Sequence, residues 1–326
     1  MKISLVIPVR DEACSIGRLL GSISGQTRLP DEVIFVDAGS VDKTVDIIMQ
    51  YKDDRVRLKH ISIGVAYPGT ARNAGVREAG HELIAFTDGG IELDKDWLKE
   101  LSLVIAKDSA ADVVYGNYAP RADTFFKQCL SMAIVPPPVN KGSGKTRPRF
   151  IASSLLKKTV WAAVGGFPDL RAAEDRIFME RIEKRGYVSK YSPNAHVIWN
   201  VPGDLKSAFR RFCSYSYHDL LAARTTDWHI PVLKMYAAAL LFIMLGIFVS
   251  PFFILLPFIG FMLRVIRKMT VNRNEPYFRT LYVPAYFIIT GFLIFLVDIA
   301  MFTGWVKHIK HILKHPECRG QKRHED

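Results

Sequence analysis

Cysteine is scarce in this chain of 326 residues, and the four present, Cys14, Cys129, Cys213 and Cys318, stand far apart. No pair has the spacing of a zinc site or of a disulfide framework, so free thiols in a reducing compartment are expected. Internal repeats are missing too, which removes solenoids and arrays from consideration. The N-terminus has no signal-peptide pattern, because Lys2 leads directly into the apolar run Ile3–Val9; the first domain is expected to stay where it is made. Acidic residues are in short supply, and unevenly so: 28 basic face 24 acidic residues up to position 200, and 16 face 8 beyond it. A basic excess gathered in the greasy C-terminal part points to a membrane surface rather than to nucleic acid.

What the chain does have is a regular alternation of apolar runs and helical patterns. Ile3–Val9, Val33–Val36, Val56–Ile61 and Leu83–Phe86 read as strands. Ser15–Ser24, Val41–Tyr51 and the segment around Thr70–Gly75 read as helices, the first with Ile16, Leu19, Leu20 and Ile23 on one face. Repeated units of this kind predict an α/β fold with a doubly wound, mostly parallel sheet and flanking helices. Two strands end in carboxylates, Asp37 and Asp88, and Asp88 is followed by Gly89-Gly90. Such a sheet binds ligands at the C-terminal edge of its strands, where both would stand. A helix-capping role for Asp88 is the structural alternative. Two carboxylates and Arg72 at one edge suit a nucleoside diphosphate and a divalent cation.

Four blocks in order, Ile7-Pro8-Val9-Arg10-Asp11-Glu12, Val36 to Thr44, Gly69 to Gly75 and Phe86-Thr87-Asp88, resemble those of family 2 glycosyltransferases. The resemblance covers roughly residues 3–200. It implies a GT-A fold, a nucleotide-sugar donor and inversion at the anomeric carbon. Pro8, Arg10, Glu12, Asp37, Ser40, Arg72 and Asp88 would then hold the nucleotide sugar. Gly165-Gly166-Phe167 resembles the family's acceptor loop, and Glu174-Asp175 its Glu-Asp motif, with Asp175 the catalytic base. Acids at a helix start are also favoured by the helix dipole without any catalysis.

The chain departs from the family where a second Asp would complete Asp-x-Asp, since that position is Gly90. Asp88 is therefore expected to hold Mg²⁺ or Mn²⁺ beside the diphosphate, with Glu92, Asp94 or His196 as candidates to assist. Gly142-Ser143-Gly144-Lys145-Thr146 is no phosphate loop, because Val139 replaces the needed glycine and three prolines replace the strand. Lys141, Lys145, Arg147 and Arg149 instead read as a basic loop, either over a phosphate-bearing acceptor or simply solvated. No Gln-x-x-Arg-Trp block of processive members follows the Glu-Asp motif, so single sugar additions are expected.

Beyond residue 204 the composition changes. Leu205–Ala223 reads as an amphipathic helix for a membrane surface within a linker spanning 205–232. Met235–Leu263 carries no charge over 29 residues, more than the roughly 20 a bilayer crossing needs. Ser250-Pro251 and Pro257 interrupt it, leaving a re-entrant hairpin or one kinked span. Leu281–Val306 is a second apolar run with a single acid, Asp298, which should face protein or a cavity. The expected layout is a catalytic domain over 1–204, membrane segments over 233–306 and a basic tail over 307–326. The expected function is sugar transfer to a lipid-linked or membrane-bound glycan at the cell membrane, from the cytoplasmic side, with membrane lipids as partners. Two rivals are a sugar-nucleotide pyrophosphorylase, disfavoured because Pro8–Glu12 has no glycine, and a non-catalytic membrane adaptor.

Overall fold

The computed structural model describes residues 1–140, 142, 144–222, 224, 228–278 and 282–314. Along the chain run β1 (Ile3–Val9), α1 (Ile16–Ser24), β2 (Glu32–Asp37), α2 (Thr44–Gln50), β3 (Arg57–Ser62), α3 (Pro68–Glu78), β4 (Leu83–Phe86), β5 (Ile91–Leu93), α4 (Trp97–Lys107), β6 (Val113–Pro120) and α5 (Phe125–Ile134). There follow β7 (Val139–Asn140), β8 (Lys145–Thr146), β9 (Ser154–Lys157), α6 (Lys158–Ala163), α7 (Glu174–Lys184), β10 (Ser189–Trp199), α8 (Leu205–Leu221), α9 (His229–Phe248), α10 (Leu255–Val271) and α11 (Pro284–Lys314). These divide into two units, one of residues 1–121 and 138–200, the other of 122–137 and 201–326.

The first unit is built on one sheet in the order β3-β2-β1-β4-β9-β6-β10-β5. Strands β1 to β4 are mutually parallel neighbours, and β6 and β10 are parallel to each other. β9 lies antiparallel between β4 and β6, and β5 is antiparallel to β10. The sheet is thus mixed, with the parallel direction dominant. Every residue of β2 is buried and β1 is nearly so, as expected for strands covered on both faces. The chain winds from β1 outward to β2 and β3, then returns to place β4 on the other side of β1. That reversal creates a switch point beside β1, where open α/β sheets bind ligands. Helix α3 lies tight on this sheet at Gly75, where a Cβ would fall 2.4 Å from a Val6 methyl. Only glycine allows that approach.

The second unit gathers α5 with α8 to α11. The sequence counts Phe125–Val135 within the first 204 residues, yet this helix packs with the C-terminal part. Tyr286 Oη donates to Gln128 Oε1 at 2.8 Å, the Phe125 and Tyr286 rings meet edge-on at 4.7 Å, and Asn272 Nδ2 donates to Val135 O at 3.4 Å. Asp204 caps α8 by accepting from Ser207 N at 2.8 Å. The long uncharged run is a helical hairpin. Phe253 stacks on Phe242, and a Cβ on Gly246 would lie 2.3 Å from Ile254, which one kinked helix cannot achieve. Helices α9 and α11 are long and apolar enough to cross a membrane, and only 6% of the apolar window of α9 is buried. Asp298 is buried, accepts from Tyr236 Oη at 2.9 Å and takes the Arg264 guanidinium, with Nη2 at 3.0 Å. Ala223, Leu281 and the tail from residue 315, with Cys318, lie outside the described residues.

Candidate active site

The β1–α1 and β2–α2 turns are stitched together by side chains from both. Asp37, buried at the end of β2, accepts from Ser40 N at 3.0 Å and Gly39 N at 3.3 Å. Asp11 N donates to Ser40 Oγ at 3.0 Å, while Val41 N donates to Asp11 Oδ1 at 2.8 Å. Glu12 N donates to Thr44 Oγ1 at 2.7 Å. Val9 and Asp37 are paired across the ladder, so Pro8, Arg10, Glu12, Asp37 and Ser40 share one edge. Asp11 and Thr44 are structural parts of this edge that the choice of site residues from sequence leaves out. Their signal lies in the sequence itself, as short polar side chains flanking two turns.

Asp88 follows β4 at the same edge and meets Arg72 of α3. Arg72 is 3% exposed; its Nη2 donates to Asp88 Oδ1 at 2.7 Å and its Nη1 to Glu174 Oε1 at 2.9 Å. Asp88 remains 35% exposed, so part of its carboxylate stays accessible while Oδ1 holds the arginine. It is not spent on capping a helix. Arg72 also rests on the Phe167 ring, 5.5 Å from its centre.

Glu174 and Asp175 open α7, preceded by Ala173 in a left-handed conformation at φ 67°. Among the described non-glycine residues only Ala173 and Asp11 have positive φ, and both border this site. Such strain is held in place by surrounding structure and is common where side chains must be aimed. Burial pushes the Glu174 carboxyl up to about 7, against the pull of Arg72 and with the help of the nearby Asp175 charge. Burial also raises Asp175, opposed by Arg72, while the Asp88 charge adds to the rise. Arg176 N donates to Asp175 Oδ1 at 2.7 Å. The two acids thus differ in task. Glu174 is committed to Arg72, whereas Asp175 is half-buried beside Arg72 and Asp88.

Phe167 is expected from sequence to touch an acceptor, but it is 3% exposed. It stacks on Phe178 at 3.9 Å between ring centres and meets Phe86 edge-on at 5.4 Å, forming the floor under Arg72. The loop Gly165-Gly166-Phe167 is held instead by Asn73. Its Oδ1 accepts from Phe167 N and Trp161 Nε1, each at 2.9 Å, and its Nδ2 donates to Phe167 O at 2.8 Å. All of the polar atoms of Asn73 are used, which is the reason an amide rather than a shorter polar group stands there. Asn73→Ala should leave Phe167 N and O without these partners and lower stability by about 1–3 kcal/mol. Thermal unfolding in detergent, with and without nucleoside diphosphate, measures it; an unchanged transition would show that the loop is held by packing alone.

Two other sequence candidates, Glu92 and the basic loop, are placed differently, and a third, His196, is located by its backbone alone. Glu92 lies in β5 between buried Ile91 and Leu93, so alternation turns it to the opposite face, where it pairs with Arg121. His196 lies in β10 opposite Asn117, and its carbonyl accepts from Asp94 N at 3.0 Å. The basic loop is largely structural: Arg147 is buried, stacked 5.6 Å from the Tyr118 ring centre, and Arg149 pairs with Glu183 at 2.7 Å. Lys141 and Ser143 lie outside the described residues.

Among the described residues no three His, Cys, Asp or Glu side chains form a ready metal cage. Asp88 does not stand alone, however. A Cβ on Gly90 would lie 3.4 Å and 3.5 Å from the two Glu12 carboxylate oxygens, so Glu12 occupies the space next to the missing second aspartate. One or two carboxylates fit a hard cation that draws its remaining ligands from phosphate and water.

The family model "Glycosyl transferase family 2" matches residues 4–166, half of the chain. The chain belongs to this family. The curated relatives it matches are glycosyltransferases. Validoxylamine A glucosyltransferase of Streptomyces hygroscopicus subsp. limoneus is 34% identical over 127 residues, 36% of this chain and 28% of that protein. The chain therefore matches under a third of that relative's length. O-antigen chain rhamnosyltransferase RfbN of Salmonella typhimurium is 26% identical over 224 residues, covering 65% of this chain and 70% of that one. In fold the chain is similar to mannosyltransferase PcManGT of Pyrobaculum calidifontis, solved in complex with GDP-Man and Mn²⁺. There the TM-score is 0.56 at 18% identity, over 94% of this chain and 87% of that chain.

Proposed function

We propose that this transferase moves a sugar from a nucleoside-diphosphate donor to a lipid-linked or membrane-bound glycan, with inversion by a single displacement. The observation that carries the proposal is the Arg72–Asp88–Glu174 cluster, with Asp175 beside it, at the switch point next to β1. Pro8, Arg10, Glu12, Asp37 and Ser40 line the same edge and would hold the nucleoside. Asp88, with Glu12 nearby, would hold a divalent cation, which when bound supplies positive charge opposite the donor diphosphate. Donor and metal use in the structural relative, solved with GDP-Man and Mn²⁺, supports this reading.

Asp175 is the general base. It takes the proton of the acceptor hydroxyl, whose oxygen attacks the anomeric carbon as the bond to the diphosphate breaks. A base is most effective when its pKa approaches the working pH, and burial moves Asp175 in that direction. Glu174 fixes Arg72, and Gly165 and Gly166 border the acceptor side through their backbone. The decisive experiment supplies detergent-solubilised full-length protein with a panel of labelled nucleotide sugars and a membrane extract as acceptor. Acceptor-dependent release of free nucleoside diphosphate is expected from one donor; no release from any would favour a membrane adaptor.

The metal reading has its own test by titration calorimetry. Mn²⁺ should tighten binding of the nucleoside diphosphate, Asp88→Ala should abolish that gain, and Glu92→Ala should leave it intact. Equal affinity with and without Mn²⁺ in the parent protein would sink it. Gly90→Asp is sterically allowed, since Gly90 lacks positive φ, but it adds a negative charge beside Glu12.

The placement at a membrane rests on α9 and α11 and on their exposed apolar side chains, among them Ile247, Phe248, Phe252 and Ile288. Apolar surface on this scale marks a lipid or protein partner. Full-length protein should remain in the membrane pellet through a high-salt wash and leave it only with detergent. Recovery in the soluble fraction would overturn the reading. The catalytic unit is assigned to the cytoplasmic side, where nucleotide sugars are expected to be supplied.

A further inference from the structure

A pocket of about 640 Å³ lies wholly within the second unit, between α8 and the C-terminal part of α11, lined by Lys206, Phe209, Arg210, Cys213, Tyr217 and Lys307. Its α8 residues recur at helical spacing, which puts them on one face. The two helices are locked together just beside it. A Cβ on Gly304 would fall 2.4 Å from Cys213 O, and Ser216 Oγ donates to Met301 O at 2.6 Å. The pocket is therefore fixed by backbone-level packing rather than by flexible surface chains.

Its chemistry is one-sided. Lys206, Arg210 and Lys307 supply three positive charges, and among the described residues none has a carboxylate at ion-pair distance. Asp204, the nearest acid in sequence, caps α8 through Ser207 and acts on Lys206 through space without forming an ion pair. The walls between the cations are aromatic, Phe209 and Tyr217, and the Tyr217 ring packs 6.0 Å from both His308 and His311. Lys307 is the first basic residue of α11, directly after the apolar stretch 284–306. Cations and aromatic rings at the end of an apolar helix are the residues of the membrane interface, where phosphate headgroups lie.

We propose that this pocket holds the phosphate of an anionic membrane lipid, its headgroup between Lys206, Arg210 and Lys307 and its glycerol region against Phe209 and Tyr217. The site shares no residue with the sugar-transfer cluster and rests on the membrane placement of the second unit. It would fix the depth and rotation of α8 and α11 at one leaflet.

Native mass spectrometry of full-length protein released from vesicles tests it. Vesicles are made of phosphatidylcholine alone or mixed with phosphatidylglycerol. Parent protein should retain phosphatidylglycerol selectively, and the combined variant Lys206→Gln, Arg210→Gln, Lys307→Gln should bind it on the order of a hundredfold more weakly. A charge-matched control, Lys234→Gln, Lys310→Gln, Lys314→Gln, should retain it. Equal loss in the control would mean general surface attraction and overturn the proposal, as would unchanged retention in the pocket variant. Displacement by inorganic phosphate at matched concentration would assign the pocket to free phosphate and overturn the lipid. The measurement reads bound lipid, so its failure is distinguishable from a failure of sugar transfer. A vesicle flotation step beforehand separates failure of the membrane placement itself.

Discussion

Asp175→Asn should lower kcat by about 10²–10⁴-fold, the usual worth of a general base, while binding of the nucleoside diphosphate stays close to parental. The substitution keeps shape and keeps an oxygen for Arg176 N, but it removes the only function that separates the two side chains, acceptance of a proton. The pH profile adds a second signature. Burial holds both Glu174 and Asp175 above their usual values, so the parental rate should rise with pH through an apparent pKa above the ordinary carboxylate range. The pair titrates as a unit, yet only Asp175 is placed beside the ligand edge without being bound into the arginine pair. The acidic limb should therefore vanish from the residual activity of Asp175→Asn and persist in Glu174→Gln. Transfer by Asp175→Asn at the parental rate would remove Asp175 from its role.

Arg72→Met should be the most destabilising single change in the site, by about 3–5 kcal/mol, the range for breaking a buried ion pair from one side. Methionine fills much of the arginine's volume and keeps contact with the Phe167 ring. It leaves the inner oxygens of Asp88 and Glu174 facing one another without the guanidinium between them. The cost is the uncompensated charge rather than a lost contact. Adding Glu174→Gln should recover part of it, because one of the two stranded charges then disappears, and the coupling is read from a double-mutant cycle in thermal or denaturant unfolding. Donor binding should not recover with stability, since Asp88 would still lack its partner. A singly substituted Arg72→Met protein as stable as the parent would show that the charge network carries no net stabilisation here.

The gathering of Asp37 and Asp88 at one sheet edge was legible in the sequence because strand ends are local features. A buried run stops at a carboxylate or a turn residue, and parallel winding then puts the ends of β1, β2 and β4 side by side. Asp37, Asp88 and the Pro8–Glu12 turn needed nothing further to be placed together. The division of the chain was less local. Phe125–Ile134 has the apolar pattern of any buried helix, and pattern alone does not say which unit buries it; its partners Asn272 and Tyr286 lie more than a hundred residues away. The clean cut expected after residue 204 would therefore strip a helix of its packing.

Sequence by itself determined the βα order, the identity of the acids at strand and helix ends, and the presence of apolar stretches long enough for a bilayer. Those follow from periodicities of two and 3.6 residues and from hydropathy, which neighbouring residues carry. Tertiary structure alone decided the direction of β9 and β5, because strand polarity depends on how the chain returns and not on the strand's own residues. It also decided that Phe167 is a floor and not a contact surface, that Arg147 is an internal strut, and that Glu12 lies beside Gly90. It paired Glu174 with Arg72 and left Asp175 outside that ion pair, a distinction set by which way two adjacent side chains leave one helix turn. Each of these depends on residues far apart in the chain being brought within a few ångströms, and no local pattern encodes that distance.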